Sequence, residues 1–153
     1  MPDYRVVEAT REHVEAMAPH MRAADVAEVL AATGADPRAA LLMSWRVSTH
    51  RWAGLAGDEV ACIFGVAPIN LLARRGAPWL LGTDLIAQHG RAFLRRNRRY
   101  IHSMMSVYNH LENHVDARNT VSIEWLRWLG FTFDEPAPFG VAGLPFRRFE
   151  MRG

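Results

Sequence analysis

The stretch Asn119-Thr120-Val121-Ser122-Ile123-Glu124-Trp125-Leu126-Arg127-Trp128-Leu129-Gly130-Phe131 constrains the fold more than any other part of the chain. It has a start, a periodic body and a stop. Asn119 and Thr120 each offer a side-chain oxygen to the free N–H groups of a first helical turn. Val121, Trp125, Trp128 and Leu129 recur at helical spacing and predict one apolar face. Gly130 stands where a helix ends in a left-handed residue, and Phe131-Thr132-Phe133 alternates as a strand does. The block therefore predicts a short helix with a strand immediately after it.

The rest of the chain is ordered around that block. Tyr4-Arg5-Val6-Val7 predicts a first strand, and Thr10 caps a helix through Glu12 to Met17 that Pro19 ends. Helices follow from Asp25 to Thr33, closed by Gly34, and from Asp36-Pro37 to Trp45. Arg51–Ala56 and Glu59–Val66 read as two strands joined by Gly57-Asp58, with Ala67-Pro68 breaking the second. The segment 70–78 reads as a connecting loop, and Trp79–Thr83 as a third consecutive strand. The longest helical pattern runs from Ala87 to Tyr108. Leu111–Val115 predicts a strand, and a Pro/Gly-rich loop, Glu135 to Gly143, leads to a last strand over Pro145–Met151. The chain of 153 residues predicts a single α/β domain spanning residues 1–153.

Composition narrows the chemistry. All 18 basic residues are arginine, which excludes a lysine nucleophile or Schiff base. No apolar run is long enough to span a membrane, and the N-terminus lacks a signal-peptide pattern, so the expected location is cytoplasmic. Cys62, in the apolar run Val60–Phe64, predicts a buried inert thiol rather than a disulfide partner. A net charge of +2 does not by itself point to nucleic acid. The one basic cluster, Arg91, Arg95, Arg96, Arg98 and Arg99, lacks the interleaved aromatics of a stacking platform. His110 and His114 have helical metal-pair spacing. The residue after the first is Leu111 rather than Glu, and no further ligand lies nearby, so no metal site is expected. Neither a Gly-x-Ser-x-Gly elbow nor a glycine-rich nucleotide loop of the dinucleotide or Walker type occurs.

The element order, together with the opening block, resembles the GNAT superfamily of acyl-CoA-dependent N-acyltransferases. The family's late motif is Asn-x-x-Ala-x-x-x-Tyr-x-x-x-Gly-Phe, and Asn119, Ser122, Leu126, Gly130 and Phe131 occupy its five positions. Asn, Gly and Phe match; Ser is a small substitute for Ala, and Leu replaces Tyr. The wording Trp-Leu-x-Trp-Leu-Gly-Phe is most similar to small GNAT-like proteins of tailed phages and prophages, some of them associated with virion structure.

The resemblance implies an α/β (α+β) three-layer fold. Its central sheet would be mixed, mostly antiparallel, of about six or seven strands flanked by helices. It implies acetyl-CoA or CoA in a splay between the fourth and fifth strands, with pantetheine on the fourth strand's edge from Leu80 to Thr83, at Leu81, Gly82 and Thr83. The pyrophosphate would lie on the amides of a helix start, at Gln88, His89, Gly90, Arg91 and Ala92, and Asn119 would border the cofactor. The loop Ala87-Gln88-His89-Gly90-Arg91-Ala92 keeps the Gly-x-Ala half of the family pattern and lacks its leading Gln or Arg. The implied reaction is acetyl transfer to an amine on a small molecule or protein. The alternative is a phage-encoded structural or interaction protein of the same fold, with a virion or other protein partner in the host cytoplasm or virion.

Amine acylation needs a base for the ammonium proton and is helped by an acid for the leaving thiolate. Leu126 cannot supply the acid. Strand alternation puts His110, Glu112 and His114 on one face of the fifth strand. His114 and Glu112 are therefore candidate bases, with Asp84, at the end of the fourth strand, as a third.

Overall fold

The computed structural model describes residues 3–153. Its centre is one eight-stranded sheet with the order β1-β2-β3-β4-β5-β8-β6, and β7 pairs on β8. The strands are β1 (Tyr4–Glu8), β2 (His50–Ala56), β3 (Glu59–Asn70), β4 (Arg75–Gly82), β5 (His110–Asp116), β6 (Thr132–Phe133), β7 (Ala137–Phe139) and β8 (Leu144–Arg152). The helices are α1 (Arg11–Met17), α2 (Ala23–Thr33), α3 (Pro37–Val47), α4 (Leu85–Gln88), α5 (Gly90–Val107) and α6 (Thr120–Leu129). Every strand pair is antiparallel except β4 with β5.

Side-chain alternation along β3, shifted by one residue at a bulge before Cys62, divides the interior into two layers. Cys62, Phe64 and Val66 pack with Phe93 and Met104 of α5 and Ile123 of α6. Val60 and Ile63 pack on the other face with Val14 and Met17 of α1 and Leu41 and Leu42 of α3. Helices on both faces of one sheet give the expected three-layer α/β arrangement. The extra strand is β7, formed inside the segment read as a Pro/Gly-rich loop.

Other boundaries moved for physical reasons. Ala67-Pro68 does not end β3: Pro68 pairs with Gly76, and β3 and β4 form one long hairpin through the segment read as a loop. A proline ring is tolerated wherever its missing N–H falls on the side without a ladder partner. The expected helix from Ala87 to Tyr108 is two helices, because His89 leaves helical geometry at φ −117° and ψ 21°. In α6 the predicted apolar face is rotated. Ile123 is buried, whereas Val121 and Trp128 are each 48% exposed, and Arg98 covers the Trp128 ring at 4.4 Å. Of the two caps read for the start of α6, Asn119 serves and Thr120 is the first helical residue. Asn119 accepts from the Ser122 N–H, and Gly130 adopts φ 111°.

Candidate active site

The site begins with a proline. β4 and β5 pair only at Arg75 with His110 and Gly76 with Leu111. The next β4 residue facing β5 is Pro78, which has no N–H to continue the ladder. Its carbonyl is taken by the Asn113 side chain, which donates at 2.8 Å. The two strands therefore separate beyond this point. A cavity of about 590 Å³ runs through the gap and is lined from both faces of the sheet.

On the α5–α6 side the lining is mostly apolar, with Leu80, Phe93, Ile101, Met104, Leu126 and Leu129, and with Asn97 of α5 and Ser122 of α6 as polar members. On the α2–α3 side it includes Ala32, Met43, Trp79 and Phe139, with three titratable groups, Asp25, Glu28 and His114. Glu28 accepts from the Asp116 N–H at 2.8 Å. Burial, with Asp25 and Asp116 nearby, pushes its carboxyl up to about 7. His114 stacks on Phe139 with ring centres 3.9 Å apart. Burial and the Arg148 charge lower its pKa, so its imidazole is neutral at physiological pH.

The top of the gap is closed by the start of α2. Gly82 donates its N–H to the buried Asp25 carboxylate at 2.8 Å, and its carbonyl accepts from the Arg22 N–H at 2.7 Å. The Arg22 guanidinium holds Asp25 and reaches Ser122 of α6 at 3.1 Å. It also lies 5.6 Å from the centre of the Trp125 ring, which in turn packs on Phe93. By strand alternation, Leu80 is the residue between Pro78 and Gly82 whose backbone faces the gap.

The residues singled out from the sequence are distributed unevenly over this site. Leu81 lines the cavity. Gly82 is engaged by α2, and Thr83 is turned toward β3, donating its N–H to the Ala61 carbonyl. Gln88, His89, Gly90, Arg91 and Ala92 form the break before α5 and its first turn, and Phe93 is the first α5 residue on the cavity. That turn has no side-chain cap and no acidic residue, and a Cβ at Gly90 would meet no other atom within 4 Å. Asn119 is 7% exposed, and its Nδ2 has no hydrogen-bond partner.

Of the candidate bases, His114 alone lines the cavity. Glu112 is held in an ion cluster with Arg75 and Arg148. Next to it in that cluster, Arg148, with Arg152 and His110, lowers Glu150 to about 2. Asp84 is exposed at the start of α4.

Two functional candidates escaped the sequence reading. Asp25, Glu28 and Ala32 fall three and four residues apart on α2, a polar edge on a cavity-facing stripe. Asn97 falls midway between Phe93 and Ile101 on the buried stripe of α5. Each spacing is a readable signal once the stripe is known to be covered.

No protein-family model and no curated protein matches the sequence. Solved structures do match the fold. The ribosomal-protein-S5-alanine acetyltransferase from Vibrio fischeri aligns with a TM-score of 0.68 at 14% identity, over 99% of this chain and 94% of that one. The spermidine N-acetyltransferase from Vibrio cholerae, solved with CoA and spermine, gives 0.67 at 11% identity over 97% and 95%. A GNAT-family acetyltransferase from Streptococcus pneumoniae gives 0.66 at 9% identity over 99% and 100%. The chain has the fold of the GNAT acetyltransferases.

Proposed function

We propose that this chain transfers an acyl group from a CoA-type thioester to an amine. The observation that carries the reading is the cavity that passes through the β4–β5 gap, with Glu28 on one side and an apolar chamber on the other. The fit to such a donor is good in the chamber and at the bare first turn of α5. It is interrupted at Gly82, whose backbone groups α2 already holds.

The thioester supplies the activated acyl carbon, and the protein supplies the rest. An amine attacks only after losing its ammonium proton. A carboxyl poised at about 7 accepts that proton near neutrality, where a carboxyl at its ordinary value is too weak a base. Glu28 is the proposed base. His114, neutral and on the same side, orients the amine by accepting an N–H. Leu126 lines the chamber where the resembling motif has a tyrosine, so as the C–N bond forms and the C–S bond breaks the sulphur leaves as a thiolate, and the proton the nitrogen then sheds reaches it through solvent.

The test is thiol release from acetyl-CoA over a panel of amines at pH 5 to 9. The reading expects kcat/KM to rise with a midpoint near 7. Glu28→Gln should lose about 10² to 10⁴ in rate while thioester affinity is unchanged. Absence of thiol release with every amine would overturn it. The engaged Gly82 edge favours a second reading, a binding protein of the same fold that takes no thioester. Failure of CoA to bind would select that reading.

A further inference from the structure

The outer face of α5 carries a charge pattern that neither packing nor the gap accounts for. Its 18 residues include five arginines, Arg91, Arg95, Arg96, Arg98 and Arg99, and no carboxylate. The other 13 arginines of the chain are set against 16 acidic residues, so the net charge of +2 is +5 on this helix and −3 elsewhere. All five side chains belong to exposed residues. Seven of the other arginines are salt-bridged, and among the described residues none of these five is. Arg91, Arg95, Arg98 and Arg99, with His102, recur three and four residues apart and form one stripe about 16 Å long. It lies opposite Phe93, Asn97, Ile101 and Met104, the α5 residues that line the cavity. Like charges at this spacing destabilise a helix, and no ion pair offsets them here.

The stripe itself contains no aromatic side chain, and α6 supplies one beside it. Trp128 is 48% exposed. The Arg98 guanidinium lies 4.4 Å from its ring centre and donates to its carbonyl at 3.5 Å. We infer that this α5–α6 surface binds a single-stranded nucleic acid. The arginines take successive phosphates, and a base stacks on Trp128 next to Arg98. An unpaired strand brings a free aromatic face with every charge. The bases of a duplex are already stacked on one another, and an acidic protein segment would leave the exposed ring unused. The stripe faces away from the gap, so this binding neither rests on the acyl-transfer reading nor obstructs it.

Fluorescence anisotropy of a labelled oligothymidylate of about ten nucleotides, titrated with the whole chain at about 50 to 200 mM salt, tests this. Each phosphate contact to a single strand contributes a slope of about −0.7 to the logarithm of the association constant against that of salt concentration. Four contacts therefore predict a slope of about −3. Replacing Arg95→Ala and Arg99→Ala together should halve it, and alanine at these exposed positions keeps the helix. Trp128→Ala should weaken binding about fivefold or more, and Trp128→Phe should restore most of the loss. No binding at the lowest salt, an unchanged slope in the double variant, or tighter binding of a duplex of the same length overturns the inference. Poly-glutamate that binds as tightly as the oligonucleotide, with Trp128→Ala affecting neither, also overturns it and assigns the stripe to an acidic protein segment.

Discussion

Glu28, the proposed base, carries a cost to the fold. Its carboxyl is raised from 4.5 to about 7, chiefly by burial. Between those values the folded chain holds a proton that the unfolded chain has released. The stability contributed by this group is therefore full below 4.5 and lost as pH rises through 7. Glu28→Gln keeps an acceptor for the Asp116 N–H and removes the titration. Chemical denaturation of both proteins from pH 4 to 8 should show the variant gaining on the wild type through that window and holding its advantage above it. A constant difference across the range would mean that Glu28 titrates normally. Neither Glu28 nor Asn97 stood out in the sequence, because helical periodicity marks apolar positions and passes over a polar residue on the same stripe. His114 stood out in the sequence because strand alternation puts it on one face with His110 and Glu112, whatever covers that face. Alternation could not say which of the three meets the gap. The arginines around Glu112, spread from β4 to β8, decide that.

At the scale of elements, the legible parts were those with local causes. The caps of α1, α3 and α6 at Thr10, Asp36 and Asn119, and the left-handed stops at Gly34 and Gly130, depend on neighbours in sequence. The β3–β4 hairpin was misread because Pro68 and Pro78 count as breakers until their ladder side is known. Pro78 proved to be what separates β4 from β5. The β7–β8 hairpin depends on contacts with α2 that no local pattern announces. Val141 and Ala142 donate to the Ala32 and Ala31 carbonyls. Gly140, at φ 77°, would place a Cβ 2.7 Å from both the Ala31 oxygen and the Ala32 Cα. Gly140→Ala should therefore cost about 3 kcal/mol and loosen the hairpin from α2. Gly143→Ala, at φ 64° in open space, should cost only about 1 kcal/mol for the left-handed backbone. Thermal melts of the two variants check the ranking, and equal losses would mean that the α2 contact contributes nothing.

Across the whole molecule, the sheet, its two helical layers and the gap between β4 and β5 form one arrangement. Two long parallel strands are pinned at one end, by Gly76 and Leu111, and held apart beyond Pro78. The fold class was readable from element order, because helices and strands alternate in a pattern that few layered folds satisfy. The closure at Gly82 was not, since Arg22, Asp25, Gly82 and Ser122 come from three distant parts of the chain. Among the described residues no helix is long and apolar enough to cross a membrane. The thioester-binding claim comes down to whether the gap admits a donor despite the hold of α2 on Gly82. The most direct measurement is thermal unfolding with and without acetyl-CoA. At a hundred times its dissociation constant, a ligand bound only to the folded chain stabilises it by about 2.7 kcal/mol. For a chain of this size that raises the melting temperature by roughly 5–10 °C. A rise of that order is the predicted result, and an unchanged melting temperature at millimolar acetyl-CoA would contradict it.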